Sequence, residues 1–215
     1  MCWNQSISWI TFIIGTLCNI GGYLWKGNKQ NWVLYLFFQL IIMVQLGEAL
    51  IWRDPNGGVL ARIGTIISFL GVWLQPIVAW LILWKYNVRN ELLYIMAILV
   101  LLYIVTSIPA FIHLQNNTYT PVLCDTDGRY HISFNAWDQP WMGRLYMICN
   151  IVSILIVSPQ LPYISLYLYF TLFLSYLLYK RLFASLWCWF AVLSPVVFTI
   201  TESLPSTNIT WLYQK

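Results

Sequence analysis

Long apolar runs alternate with short polar breaks along the whole chain, and the charges collect in the breaks. Each run approaches the roughly 20 residues that cross a hydrocarbon core about 30 Å thick. None shows the every-second-residue alternation of a barrel strand, so the runs read as helices, which satisfy their backbone groups internally. The pattern predicts seven spans. The first covers about 7–25 and is closed by Lys26-Gly-Asn-Lys29; the second covers 31–52 and ends at Arg53-Asp-Pro-Asn-Gly-Gly58, a cluster of turn formers. The third covers 63–84, before Lys85-Tyr-Asn-Val-Arg89, and the fourth covers 92–112. A polar stretch, 113–139, follows as the one long loop. The run after it is too long for a single helix and is broken by Ser158-Pro-Gln-Leu-Pro162, because proline removes a backbone donor and clashes with the preceding turn. That leaves spans five (141–157), six (161–179) and seven (182–203). The fold class expected is all-α, a polytopic seven-transmembrane helix bundle forming one domain over 1–215.

Trp25, Trp32, Trp52, Trp84, Trp141, Tyr179 and Trp187 fall at or near span ends, where an aromatic belt would sit. Composition agrees: 8% of residues are charged against 60% hydrophobic, with mean hydropathy +0.70. A soluble domain carries about 25% charged residues, so this chain could not cover its own surface in water. The formal charge of +4 reads as loop lysines and arginines facing headgroups. No basic run exceeds Lys180-Arg181, which argues against nucleic acid as a partner. The first apolar run has no basic region before it and reads as a span rather than a cleaved leader.

An odd number of spans puts the termini on opposite sides. Positive charge does not orient them: Lys26, Lys29, Lys85, Arg89 and Lys215 lie on one side, and Arg53, Arg62, Arg129, Arg144, Lys180 and Arg181 on the other. Cys2 and Cys124 share a side with the sequons Asn4-Gln-Ser6 and Asn116-Asn-Thr118, which favours an outside N-terminus; Asn208-Ile-Thr210 falls on the opposite side.

Glu48 is the residue most costly to place in a bilayer. An intramembrane carboxylate is a functional candidate by default, set against a structural hydrogen bond or snorkelling to the interface. Ile41, Gln45, Glu48 and Trp52 recur on one helical face. In span three, Pro76 frees the carbonyl of Val72, which the Gln75 amide could satisfy if it does not bind a solute. Asn19 shares a face with Gly15 and Gly22, the pattern of close helix packing. Ser194-Pro195 predicts another kink. In the long loop, Cys2, Cys124 and His131 match no compact zinc spacing, so no metal or cofactor is expected; a Cys2–Cys124 disulfide is preferred if that side is oxidising. Span seven holds no lysine, so no retinal is expected.

Met1-Cys2-Trp3, Glu48, Gln75-Pro76, and Cys124 followed by Gly128-Arg-Tyr-His131-Ile132 and Trp137 occur in that order. In these motifs the chain resembles a family of seven-span membrane proteins of giant viruses and some bacteria that has no assigned activity. The resemblance covers most of the first 140 residues. It implies the same topology and a viral or host-cell membrane as the location. Pro159-Gln160 is similar to the Pro-Gln dipeptide of seven-span sugar and amino-acid carriers, but no internal repeat accompanies it.

Three functions follow as expectations. Transport of a small solute or ion, or ligand sensing, ranks first, through a polar interior of Asn19, Gln45, Glu48 and Gln75. A membrane scaffold without turnover ranks second, its polar residues acting as interhelical glue. An interfacial enzyme using Glu48 and His131 as acid and base ranks third. The bilayer is the expected partner in all three.

Overall fold

The structure, a computed structural model, describes residues 4–25, 28–123, 130–132, 140–158, 161–178 and 190–202. It is helical apart from one small ribbon. In chain order the elements are α1 (Gln5–Leu24), a 3-10 turn (Asn28–Asn31), α2 (Trp32–Arg53), α3 (Val59–Trp73), α4 (Gln75–Lys85), α5 (Asn90–Thr106) and α6 (Ile108–Asn116). After them come β1 (Pro121–Leu123), β2 (Tyr130–Ile132), α7 (Pro140–Val157), α8 (Pro162–Leu178) and α9 (Ser194–Glu202). Among the described residues, four segments are long and apolar enough to cross a membrane: Gln5–Leu24, Asn28–Arg53, Val59–Lys85 and Asn90–Asn116. Trp141–Val157 and Pro162–Ser175 are shorter apolar helices.

Two of the long segments carry proline breaks. Pro76 divides α3 from α4 at Leu74, and Pro109 divides α5 from α6 at Ser107. Beside the second break, the Ser107 hydroxyl donates to the Ile104 carbonyl (2.7 Å) and accepts from Trp73 Nε1 (2.8 Å). Two boundaries move outward from the hydropathy pattern. The third long helix begins at Val59 because Asp54 Oδ2 accepts from the Leu60 N–H (3.1 Å), supplying one of the partners a helix start lacks. The fourth runs through His113 to Asn116, into the predicted loop. Arg62 donates to the carbonyls of Gln115 (2.8 Å) and Asn117 (2.7 Å), which holds that polar end helical. The loop itself forms the antiparallel ribbon, with Pro121 opposite Ile132, Val122 opposite His131 and Leu123 opposite Tyr130.

α1 buries small and polar residues, and α1, α5 and α8 all turn large apolar ones outward. α1 buries Ser8, Thr11, Gly15, Asn19 and Gly22. It exposes Ile10, Ile13, Leu17, Ile20 and Leu24, with Leu17 at 64%. α5 exposes Ile95, Ile98, Leu101, Leu102 and Val105, and α8 exposes Leu166, Phe170, Phe173 and Leu177. A soluble helix carries the reverse arrangement. Exposed Trp25, Trp32 and Trp84 gather at one end of the bundle, joined there by the Tyr86 hydroxyl donating to Asn31 Oδ1 (3.1 Å).

Small residues let the backbones meet. α2 and α3 are antiparallel, and they cross where Gly47 faces Gly64. A Cβ on Gly64 would run into the Gly47 carbonyl oxygen, and one on Gly47 would run into Ser68. Further along, a Cβ on Gly71 would sit 3.0 Å from the Leu40 carbonyl. α1 lies parallel to α9: a Cβ on Gly15 would meet Val192, and one on Gly22 would meet Thr199 and Tyr35. That close approach is how helices gain van der Waals contact when lipid gives no hydrophobic drive between them.

The glycine contacts set an order of tolerance. Gly64→Ala should destabilise most, by about 1–3 kcal/mol as overpacked sites do, and Gly71→Ala less. Gly21→Ala, with nothing within 4 Å of its Cβ, should be neutral or stabilising by up to about 1 kcal/mol. Unfolding midpoints of the three variants in one detergent check the order; a Gly64 variant as stable as the Gly21 variant would refute the crossing.

Candidate functional site

The bundle interior holds polar side chains at several levels, each placed by a different helix pair. Among the described residues, Glu48 is the buried ionisable acid: it is 2% exposed, lies little more than one turn from the end of α2, and follows directly on Gly47 at the crossing with α3. Gln45 is buried one turn earlier, and Trp52, one turn later, is half-buried. The segment after α6 docks at this level. Tyr119 N–H donates to Thr65 Oγ1 (2.8 Å), and Thr65 adjoins Gly64. Tyr119 and Ile132 are both buried there. The ribbon therefore lies at the Glu48 end of α2, and β2 brings the backbone of His131 to that end. A carboxyl in such a setting can hold a proton or a cation, since burial disfavours a bare charge.

Asn19 and Gln75 belong to separate joints. Asn19 Nδ2 donates to the Tyr35 carbonyl (3.0 Å) and to Gln39 Oε1 (2.8 Å), tying α1 to α2. Gln75 is fully buried beside the proline break. Its amide donates to the carbonyl of Gly71 (3.1 Å), one residue before the Val72 carbonyl expected from the proline, and its Oε1 accepts from the Tyr146 hydroxyl (2.6 Å), tying α4 to α7. The hydrogen-bond partners of Asn19 and of Gln75 have no residue in common. Trp80 Nε1 donates to the Leu93 carbonyl (3.2 Å) and adds a further tie, between α4 and α5.

A larger polar group closes the opposite end. Asn28 Nδ2 donates to the Gly22 carbonyl (3.1 Å) and to the Tyr35 hydroxyl (3.0 Å). Tyr35 in turn lies 3.2 Å from Thr199 Oγ1, whose own proton goes to the Pro195 carbonyl (2.7 Å). The Tyr35 hydroxyl must then be the donor to Thr199, and the relay runs in one direction from the 3-10 turn through α2 to α9. Tyr86 stands beside it. Burial, helped by the Glu202 carboxylate and then Tyr35, pushes its hydroxyl well above the usual tyrosine range, so it stays protonated as donor to Asn31.

Sequence reasoning did not single out Tyr35, Asn28, Tyr146 or Thr199. Tyrosines and threonines are common in apolar runs, and only the fold shows which of them meet. Asn28 was hidden among loop residues. Cys2 and Cys124, the disulfide candidates, lie outside the described residues, as do Lys180, Arg181 and Trp137. Cys18 and Cys149 are free thiols. Among the described residues, no three His, Cys, Asp or Glu side chains come together as a metal site would need.

Tyr146→Phe should leave Gln75 Oε1 buried without its donor and cost about 1–2 kcal/mol of unfolding free energy. In a double-mutant cycle with Gln75→Leu, the second change should then cost little more; strictly additive losses would mean the two side chains act independently. No family model matches the chain, no curated protein matches it, and no solved structure matches it.

Proposed function

We propose that this chain is an integral membrane protein of seven spans whose bundle acts as a sensor or scaffold rather than as an open conduit. The burial pattern supports the membrane: large apolar side chains face outward on α1, α5 and α8, where hydrocarbon would solvate them. The parallel course of α1 and α9 supports the count, because two parallel helices at the two ends of a chain imply an odd number of crossings. Sequons and cysteines on the side of Asn4 favour an outside N-terminus. The motifs shared with the giant-virus family favour a viral or host-cell membrane.

One observation carries the choice of function. Asn19 and Gln75, two of the side chains that would line a polar path, are engaged within the protein across different helix pairs: the Asn19 amide donates twice, and Gln75 both donates and accepts. Side chains engaged in this way are joints between helices. A ligand acts on such a bundle by binding one arrangement of the joints better than another.

A second reading, transport of a proton or cation, is favoured by Glu48, because a carboxyl 2% exposed inside an apolar bundle is a functional candidate by default. Reconstituted protein distinguishes the two. Proteoliposomes carrying a proton- or potassium-sensitive dye should show no flux above empty liposomes. Flux that Glu48→Gln abolishes would replace the sensor reading with transport. Cysteine-accessibility labelling of tags at the two ends should find them on opposite sides of the membrane, and labelling on one side would reject seven spans.

A further inference from the structure

A cavity of about 30 Å³ lies between α2 and α4 on one side and α7 and α8 on the other. Every residue around it is buried. Its walls are apolar, with Leu34, Phe38, Ile82 and Leu168 among them. Two of the residues that line it carry a side-chain oxygen with no hydrogen-bond partner: Asn150 Oδ1 on α7 and Ser165 Oγ on α8. They are 3% and 2% exposed.

Neither atom is idle for want of ordinary helical geometry. The Asn150 amide nitrogen donates to the Tyr146 carbonyl one turn back (2.9 Å), which fixes the side chain and leaves its oxygen free. Ser153, Thr171 and Ser175 of the same two helices all give their hydroxyl protons to their own backbone (2.6, 3.1 and 2.7 Å). Ser165 does not, although its N–H bonds the Leu161 carbonyl in the usual way. Buried polar atoms in native proteins nearly always have partners, bound water included. A void needs only about 10–15 Å³ to hold one water, and a bound water needs two to four polar contacts. Here a space of that size is lined by two residues that each carry an unpartnered oxygen.

We propose that this cavity is a binding site for one small hydroxyl-bearing molecule, which donates to Asn150 Oδ1 and exchanges a hydrogen bond with Ser165 Oγ. The chemistry is selective. No charged side chain lines the cavity, so neither a cation nor an anion is stabilised there. An unsatisfied amide oxygen calls for a donor, and the apolar walls accept nothing larger than a short alkyl group beside it. Water and a short alcohol such as methanol share this chemistry. Either would join α7 to α8 through a contact the side chains do not make alone. The site deepens the sensor reading by naming a ligand class, and it rests on that reading for its use but not for its occupancy.

The test is nuclear Overhauser spectroscopy on the full chain in nanodiscs, labelled with ¹⁵N-asparagine, with Asn150→Leu identifying the Asn150 signal. A cross-peak from water to the Asn150 side-chain amide is expected, weakened at least twofold in Ser165→Ala. If added methanol replaces that peak with one from its methyl group, the site accepts alcohols; if the water peak persists, the occupant is water. Absence of both peaks would overturn the proposal. A second measurement covers the case in which Asn150→Leu folds poorly: the water peak of wild type and Ser165→Ala is compared without it, the other asparagines being removed one at a time, and an unchanged peak in Ser165→Ala overturns the bridge. Failure here separates from failure of the sensor reading. Flux through liposomes would reject the sensor and leave this site standing, whereas a dry cavity in a non-conducting protein would reject this site alone.

Discussion

The backbone contact between α2 and α3 at Gly47 and Gly64 is the constraint from which the rest of the bundle follows. Helix axes normally lie about 8–10 Å apart, a distance set by the side chains between them. Where hydrogen atoms replace side chains on both helices, the axes come closer and the flanking residues interlock. Ala61, Ser68 and Gly71 continue the small face of α3 on either side of the crossing. α2 then becomes the pillar of the molecule, with α1 against one side, α3 against another, and Phe38, Ile41, Ile42 and Ile51 all buried. Glu48 is buried because it follows Gly47 on the helix that the other helices surround.

Polar side chains join helix pairs across this frame. Asn19 and Gln39 connect α1 with α2; Gln75 and Tyr146 connect α4 with α7; Tyr35 and Thr199 connect α2 with α9. The first and third of these joints meet at Tyr35, whose carbonyl accepts from Asn19 and whose hydroxyl donates to Thr199, whereas the Gln75–Tyr146 joint shares no residue with them. Such bonds average only about 0.6 kcal/mol between membrane helices. Their larger effect is on register: a Gln–Tyr pair at 2.6 Å fixes the height and rotation of α7 against α4 where apolar packing would allow sliding.

The proline breaks are part of the same joinery. Pro76 opens the helix beside Gln75, whose side chain can then turn to the Gly71 carbonyl while its oxygen takes the Tyr146 proton. Pro109 opens the next helix at Ser107, whose hydroxyl accepts from Trp73 of the neighbouring helix. Beside each break a side chain bonds a carbonyl of the preceding turn, Gln75 that of Gly71 and Ser107 that of Ile104, which steadies the opened backbone.

Much of the architecture was legible in the sequence. The apolar runs locate the four long helices among the described residues, because an unbroken apolar run without turn formers stays helical along its length, and Gly15, Asn19 and Gly22 mark the packed face of α1 through their spacing alone. The proline at 76 announces its break, since the missing N–H is a local property. What lay beyond reach depends on residues distant in the chain. The helical end at 113–116 needs Arg62, more than fifty positions away, to satisfy its carbonyls. The choice of Gly71 over Val72, the pairing of Gln75 with Tyr146, and the relay from Asn28 to Thr199 are likewise settled by which helices come side by side. The cavity at Asn150 and Ser165 belongs with these, because a space has no sequence of its own. Local chemistry therefore determined where the chain is helical and which faces are small or polar; the packing of those faces decided which polar atoms meet and which remain open to a ligand.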